Sequence, residues 1–300
     1  MATYVYSCSG NRRFGYLYDP HKLSVKGGVL SKLVKVKNAR GEPQWGYLLG
    51  NGMVSLLDGS FETGFTLTHQ MKGSPQFLAP VQPPAIICIG LNYRAHAAET
   101  GAKEPQYPVV FFKNPASLIG PDQPIELPTH LASSQVDYEG ELAVVIGRRC
   151  KNVSQSDALK YVFGYTIAND VSARDWQKQW GGSQWCRGKS FDTFCPVGPA
   201  VVTNDHGEFD PMNLKIRTLV SGELMQESST ADMIFPIPRI IEFLSGSTTL
   251  LPGTIILTGT PAGVGMGRTP PRWLKAGDVV EIEIESLGSL RNPVVAEGQA

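Results

Sequence analysis

Three hundred residues, 42% of them hydrophobic, are enough to bury a substantial core in one large domain or in a large domain carrying a small one. Twenty-seven Lys and Arg cancel twenty-seven Asp and Glu, and no basic run exceeds a pair such as Arg12-Arg13 or Arg148-Arg149, which argues against nucleic acid as a partner. No apolar run is long enough to span a bilayer, so no membrane association is expected.

The opening residues lack the basic start and apolar middle of a secretion signal, and the expected compartment is the cytoplasm. Residues 1–18 carry two arginines and no acid. Asp19-Pro20 and the lack of a helical apolar face leave a mitochondrial address with only that faint support. The five cysteines, at 8, 88, 150, 186 and 195, are scattered and never spaced as Cys-x-x-Cys. A reducing compartment fits them better than a disulfide framework or a zinc site.

Residues 1–80 alternate short apolar runs with turn residues. Phe14–Tyr18, Leu30–Val36, Trp45–Leu49 and Val54–Leu57 read as strands, and Lys26-Gly27-Gly28, Asn51-Gly52 and Asp58-Gly59 as turns. This is a small β-rich N-terminal domain without clustered chemistry. Pro80-Val81-Gln82-Pro83-Pro84 is a stiff connector, and a second domain runs from 85 to 300. It opens with a buried strand, Ala85–Ile89. The alanine-rich stretch from Asn92, read as a cap, to Gly101 is a short helix on which His96 and Glu99 share a face. There the carboxylate can orient the imidazole and raise its basicity, a candidate base for activating water; the same spacing also describes an exposed i,i+3 pair. Val109–Lys113 is a further strand, whose terminal Lys113 could meet an anionic substrate or simply snorkel to solvent.

In Val136-Asp137-Tyr138-Glu139-Gly140-Glu141, followed by Leu-Ala-Val-Val-Ile, successive strand side chains alternate, so Glu139 and Glu141 stand on one face. The run after them is apolar on both faces, the pattern of a strand covered on both sides. Two ionised carboxylates there would suffer lost hydration and mutual repulsion unless a cation joined them, and oxygen ligands suit a hard divalent ion. Glu281, Glu283 and Glu285 repeat the spacing, but strict alternation marks them as the wet face of their strand.

Phe163–Ala168 is a strand delivering Asp170, a candidate third metal ligand or a helix cap. Arg174 and Gln177 follow on one helical side. Lys189, in a glycine-bearing donor-rich segment, could hold an oxyanion. A turn at Asn204–His206, a hairpin turn at Ser221-Gly222 and a striped helix from Ile234 to Leu244 lead to strand Ile255–Thr258. The glycine-dense loop Gly259–Gly267 then lets backbone N–H groups approach an anion; it has no phosphate-loop lysine, and no dinucleotide fingerprint occurs.

Six segments together resemble the fumarylacetoacetate hydrolase family: Gly-Leu-Asn-Tyr-Arg-Ala-His-Ala-Ala-Glu-Thr at 90–100, Asp-Tyr-Glu-Gly-Glu-Leu at 137–142, Gly-Tyr-Thr-Ile-Ala-Asn-Asp-Val-Ser-Ala-Arg-Asp at 164–175, Gly-Lys-Ser-Phe-Asp-Thr-Phe at 188–194, Thr-Ala-Asp-Met-Ile-Phe at 230–235 and Thr-Gly-Thr-Pro-Ala-Gly-Val-Gly at 258–265. The likeness is to its acylpyruvase and 2-hydroxyhepta-2,4-diene-1,7-dioate isomerase-like members. It implies an α/β, mainly β fold, a mixed β-sandwich roll, paired as a homodimer. It implies Mg²⁺ or Mn²⁺ on Glu139, Glu141 and Asp170, a water-activating dyad of His96 and Glu99, Lys189 on the substrate oxygens, and Arg174, Gln177, Gly259 and Thr260 lining the site. The implied reaction is hydrolysis or decarboxylation of a small β-dicarbonyl 2-oxo acid such as an acylpyruvate or oxaloacetate. The alternatives are isomerisation or tautomerisation of an unsaturated 2-hydroxy or 2-oxo diacid, and a metal-bound binding protein without turnover. Pro252-Gly253-Thr254 and Ser221-Gly222 depart from the commoner Pro-Gly-Asp and Asn-Gly of relatives.

Overall fold

The computed structural model describes residues 32–60, 63–73, 75–203, 207 and 209–299. The expected strand at Phe14–Tyr18, the turn at Lys26–Gly28, the first residues of the Leu30–Val36 run and the turn at Asn204–His206 lie outside the described residues.

The fold is mainly β. The larger sheet has the order Gly64–Lys72, Val54–Ser60, Pro43–Leu48, Lys32–Lys37, Cys195–Val202, Val162–Asn169, Gly140–Ile146, Ile255–Leu257, Ile86–Gly90, Val109–Lys113, with two-residue strands Phe77–Leu78 and Leu118–Ile119 on its flanks. The N-terminal strands continue the same sheet as residues 140–146, because Leu33 pairs with Val201 and Val34 with Ala200. A second sheet, ordered Glu223–Ser229, Lys215–Val220, Val279–Ile284, Gly288–Ala296, Ile125–Leu127, packs across the middle strands of the first.

The amino-acid pattern explains which strands lie between layers. Val280, Ile282 and Ile284 are buried while Glu281 and Glu283 are partly exposed, and Glu283 meets Arg217 at 3.3 Å. Residues 140–146 are buried throughout. Leu142, Val144 and Ile146 join Ile216 and Ile282 in the core between the sheets, whereas Ala143 and Val145 join Cys88, Phe111, Cys195 and Leu257 in a second core on the opposite face. Glu141 has the parity of Ala143, so the acidic end of this strand belongs to that second core.

The hairpin at Ser221-Gly222 is as expected, with φ of 52° and 85° at the two turn residues. The cap expected at Asn92 is not. The helix after Gly90 spans Arg94–Glu99 with Tyr93 at its N-cap. Asn92 is instead fully buried, donating to the carbonyls of Phe235 and Thr258 at 3.1 and 2.7 Å and accepting from Phe235 N–H at 2.8 Å. A buried amide must satisfy its polar atoms, and here it does so by tying three distant segments together. The helix Ile237–Ser245 starts immediately after Pro236, with Pro238 in its first turn, where a missing N–H costs nothing.

Candidate active site

Strand register brings the acidic residues together. Gly140 pairs with Asn169 and Glu141 with Ala168; one step further along, Asp170 N–H donates to the Glu139 carbonyl at 2.9 Å. The Asn169 side chain accepts from Glu139 N–H at 3.0 Å, fixing the backbone where the ladder loosens. Glu139, Glu141 and Asp170 are all buried, and one oxygen from each lies within 4.8 Å of the others.

Cations surround this trio unevenly. Lys189 Nζ bridges Glu139 Oε2 and Asp170 Oδ2 at 2.7 and 2.6 Å. Lys113 Nζ reaches Asp170 Oδ1 at 2.6 Å and the Val171 carbonyl at 3.1 Å. Arg174 Nη2 lies 2.6 Å from Glu139 Oε1 and 2.8 Å from Asp137 Oδ2, and its Nη1 donates to Gln177 Oε1 at 3.0 Å. Lys113 is therefore neither at a substrate-facing strand end nor snorkelling: its side chain is fully buried, since an unpaired Asp170 at that depth would be strongly destabilised.

Glu141 has no ion-pair partner among the described residues. It accepts one hydrogen bond, from Gly259 N–H at 2.7 Å. Burial, then the charges of Asp170 and Glu139, push its carboxyl well above the usual range. Burial would raise Glu139 too, but Arg174 and Lys189 outweigh it and hold that carboxyl well below the usual range. Burial opposes the charge on Lys189, yet Asp170 and Glu139 raise its pKa overall. Three hard oxygen donors, one of them lacking a counter-charge, are the donor set that suits a divalent ion such as Mg²⁺ or Mn²⁺.

Lys189 reaches the cluster because Gly188 lets the short helix Cys186–Lys189 lie on the backbone of 173–177: a Cβ there would sit 2.6 Å from Gln177 N and 2.7 Å from the Ala173 carbonyl oxygen. Facing the carboxylates, His96 Nδ1 and Glu99 Oε2 are 3.1 Å apart, and Glu99 Oε1 accepts from Gly263 N–H at 2.9 Å. Burial raises the Glu99 carboxyl, but those two hydrogen bonds bring it below its ordinary value, so it stays ionised and can orient the imidazole.

The glycine loop proves to serve the protein's own anions. Gly259 N–H holds Glu141, Gly263 N–H holds Glu99, and Gly265 and Met266 N–H hold Asp137 at 2.7 and 3.1 Å. Gly259 must be glycine on two counts: its φ is +102°, and a Cβ would lie 2.7 Å from that of Asn92. Thr260 Oγ1 donates to the Gly140 carbonyl at 3.0 Å and accepts from Gln226 Nε2 at 2.8 Å.

Sequence reasoning gave no role to Asp137 or Gln226. Asp137, fully buried, joins the loop to Arg174 Nε at 2.9 Å; an acid two residues before Glu139 is its only sequence signal. Gln226 accepts from Gly140 N–H at 3.0 Å and comes from an edge strand with nothing in its pattern to single it out.

His96, the three carboxylates, Arg174, Gln177, Lys189 and Thr260 all line one cavity of about 190 Å³. Its apolar wall includes Phe111 and Trp185, edge to face with centroids 5.5 Å apart.

A mainly β roll that aims buried carboxylates, a buried lysine and an imidazole at one small pocket is an enzyme fold built around a carboxylate centre. A family model described as fumarylacetoacetate (FAA) hydrolase C-terminal matches residues 85–295. The chain belongs to the fumarylacetoacetate hydrolase family, and shares its hydrolase, decarboxylase or isomerase class of chemistry. It is 52% identical over 225 residues to the mitochondrial oxaloacetate tautomerase fahd2 of Xenopus laevis, covering 75% of this chain and 70% of that one. Among solved structures, the 2-hydroxyhepta-2,4-diene-1,7-dioate isomerase of Mycobacterium marinum matches with a TM-score of 0.78 at 39% identity, over 90% of this chain and all of that one. The fumarylacetoacetate hydrolase of Exiguobacterium antarcticum matches with a TM-score of 0.80 at 38% identity, over 89% of this chain and all of that one.

Proposed function

We propose that the chain interconverts the keto and enol forms of a small 2-oxo diacid such as oxaloacetate. The sequence put hydrolysis or decarboxylation first and tautomerisation second; the name of the Xenopus relative, an oxaloacetate tautomerase, is the reason for placing tautomerisation first in this reading. The single observation that carries the reading is the shared cavity: an oriented imidazole faces three buried carboxylates that lack one counter-charge.

Glu139, Glu141 and Asp170 would hold Mg²⁺ or Mn²⁺, which when bound polarises the carboxylate and keto oxygens of a 2-oxo acid. In the keto-to-enol direction His96, oriented by ionised Glu99, takes the proton from the carbon next to the keto group while the keto oxygen takes up a proton from solvent; the enol-to-keto direction moves both protons back. Lys189 keeps positive charge where the enolate oxygen develops. Arg174, Gly259 and Thr260 act by holding Glu139, Glu141 and the Gly140 backbone, and Gln177 keeps Arg174 in line while bordering the substrate. Phe111 and Trp185 exclude water from the reacting carbon.

C–C cleavage, by hydrolysis or decarboxylation, is the second reading. It leaves the enolate of the cleaved product on the same keto oxygen, and the ionised Glu99 beside His96 favours its hydrolytic form, because that pair can also deprotonate water.

Residues 85–300 are the catalytic unit in this reading, with 1–80 an N-terminal unit extending its sheet, and the assembly is a homodimer. The four described cysteines are unpaired, in keeping with a reducing compartment such as the cytoplasm. No described helix is long and apolar enough to cross a membrane.

The test is to follow enol absorbance of oxaloacetate on adding purified protein, with Mg²⁺ or Mn²⁺ and with excess EDTA, while measuring pyruvate in parallel. Metal-dependent loss of enol without pyruvate supports tautomerisation; metal-dependent pyruvate supports cleavage. Turnover indifferent to EDTA overturns both.

A further inference from the structure

The chelating end of a 2-oxo acid accounts for one carboxylate and one keto oxygen, and leaves open what meets the other end of the substrate. The cationic side chains lining the cavity are Arg174, Lys178 and Lys189. Two are already committed: Arg174 to Asp137 and Glu139, and Lys189 to Glu139 and Asp170. Lys178 makes no ion pair with any described residue.

Lys178 follows buried Gln177 in the π-helical turn Trp176–Trp180. It is itself exposed while lining the cavity, so it stands at the cavity mouth. The side chain is not wholly solvated: burial, then nearby Arg174, lowers its pKa, and Glu139 and Asp137 act on it in the opposite sense. Its ammonium therefore feels the site's charges. Leu91, Ala102 and Met266, which also line the cavity, are apolar and have no charge to offer a second carboxylate.

A cavity of about 190 Å³ has the volume of roughly six liquid waters. A four-carbon diacid chelated at the carboxylate centre would fill most of it and carry its far end toward the mouth. We propose that Lys178 recognises the second carboxylate of a dicarboxylic 2-oxo acid and so sets the preference of this site for diacids over monoacids. The inference rests on the reading of the site given under Proposed function. An ammonium–carboxylate contact at an exposed rim is worth up to about fivefold in apparent affinity.

The experiment compares oxaloacetate with its 4-methyl ester, which keeps the chelating carboxylate and keto group and loses only the distal charge. Both are assayed with Mg²⁺ on the unaltered protein, Lys178→Met and Lys178→Arg. The expected result is that the unaltered protein favours the diacid, and that Lys178→Met lowers the diacid-to-ester ratio of kcat/KM by roughly two- to fivefold. The loss falls on KM, weakens with added salt, and is largely restored in Lys178→Arg. If both substrates turn over but the ratio is the same in Lys178→Met as in the unaltered protein, the Lys178 role is overturned and the enolate reading stands. If neither substrate turns over on the unaltered protein, the enolate reading fails and takes this one with it.

Discussion

Glu141 Oε2 accepts a hydrogen bond from Gly259 N–H at 2.7 Å, and this neutral contact stands where Glu139 and Asp170 have lysine partners. The consequence is a pH-dependent penalty that a divalent ion should remove. Burial, with Asp170 and Glu139 nearby, raises the carboxyl above its ordinary 4.5. A carboxyl whose folded pKa is raised favours the folded state fully below the unfolded value and loses that contribution as pH rises through the folded one. In excess EDTA, Glu141→Gln should therefore melt higher than the unaltered protein near neutral pH, with the gap closing toward about pH 4.5. Saturating Mg²⁺ should reverse the order, because glutamine cannot neutralise the ion. Melting curves of both proteins at several pH values check this, and a gap that does not change with pH would refute it.

Asp137 anchors both Arg174 and the glycine loop while touching no substrate-facing space. Asp137→Asn keeps the shape but leaves Arg174 with one buried carboxylate instead of two. Breaking a buried pair of this kind costs about 3–5 kcal/mol. Denaturant unfolding should show a loss in that range. Turnover at saturating metal should also fall, since Arg174 fixes Glu139. Full activity with unchanged stability would mean the loop holds its shape without the aspartate.

His96 and Glu99 are assigned to proton transfer, not to holding the ion. His96→Ala and Glu99→Gln should lower kcat by about 10²–10⁴ while keeping the rise in melting temperature that Mg²⁺ produces. Loss of that rise would move the pair into the ion's own coordination. Because Glu99 is held below its ordinary pKa, the ionised form that orients His96 persists to mildly acid pH, so protonation of Glu99 should not set the acidic fall in kcat/KM.

Much of this was legible in the residues. Strand Val109–Lys113 and the buried run after Glu141 follow from apolar patterning alone, because a strand covered on both faces has no polar alternation to confuse it. The alternating Glu281 and Glu283 were separable from Glu139 and Glu141 for the same reason. Lys113 and Asn92 were misread, since local sequence assigns a polar residue at an element's end to solvent or to a cap. What buries them is a partner far along the chain, Asp170 for the one and Phe235 with Thr258 for the other. Gln226, with nothing in its own strand to distinguish it, illustrates the limit: its role exists only once the second sheet has packed on the first.

Gly267 gives the sharpest separation of activity from stability. A Cβ at this position would lie 2.6 Å from both Cδ and Oε1 of Glu99. The obstructing atoms are the end of a flexible side chain, and the glycine has no positive φ to strain an alanine. Gly267→Ala should accordingly fold with a melting temperature close to that of the unaltered protein. Glu99 must then swing away, giving up its 2.9 Å contact with Gly263 N–H and its 3.1 Å contact with His96. Without that carboxylate the imidazole loses its fixed orientation. The expected outcome is a fall in kcat approaching that of Glu99→Gln, with the Mg²⁺-induced rise in melting temperature retained. Combining the two changes should add little, because the second removes an interaction already lost. Steady-state kinetics on the two single variants and the double variant decide it. A fully additive loss would show that Glu99 still orients His96 in Gly267→Ala.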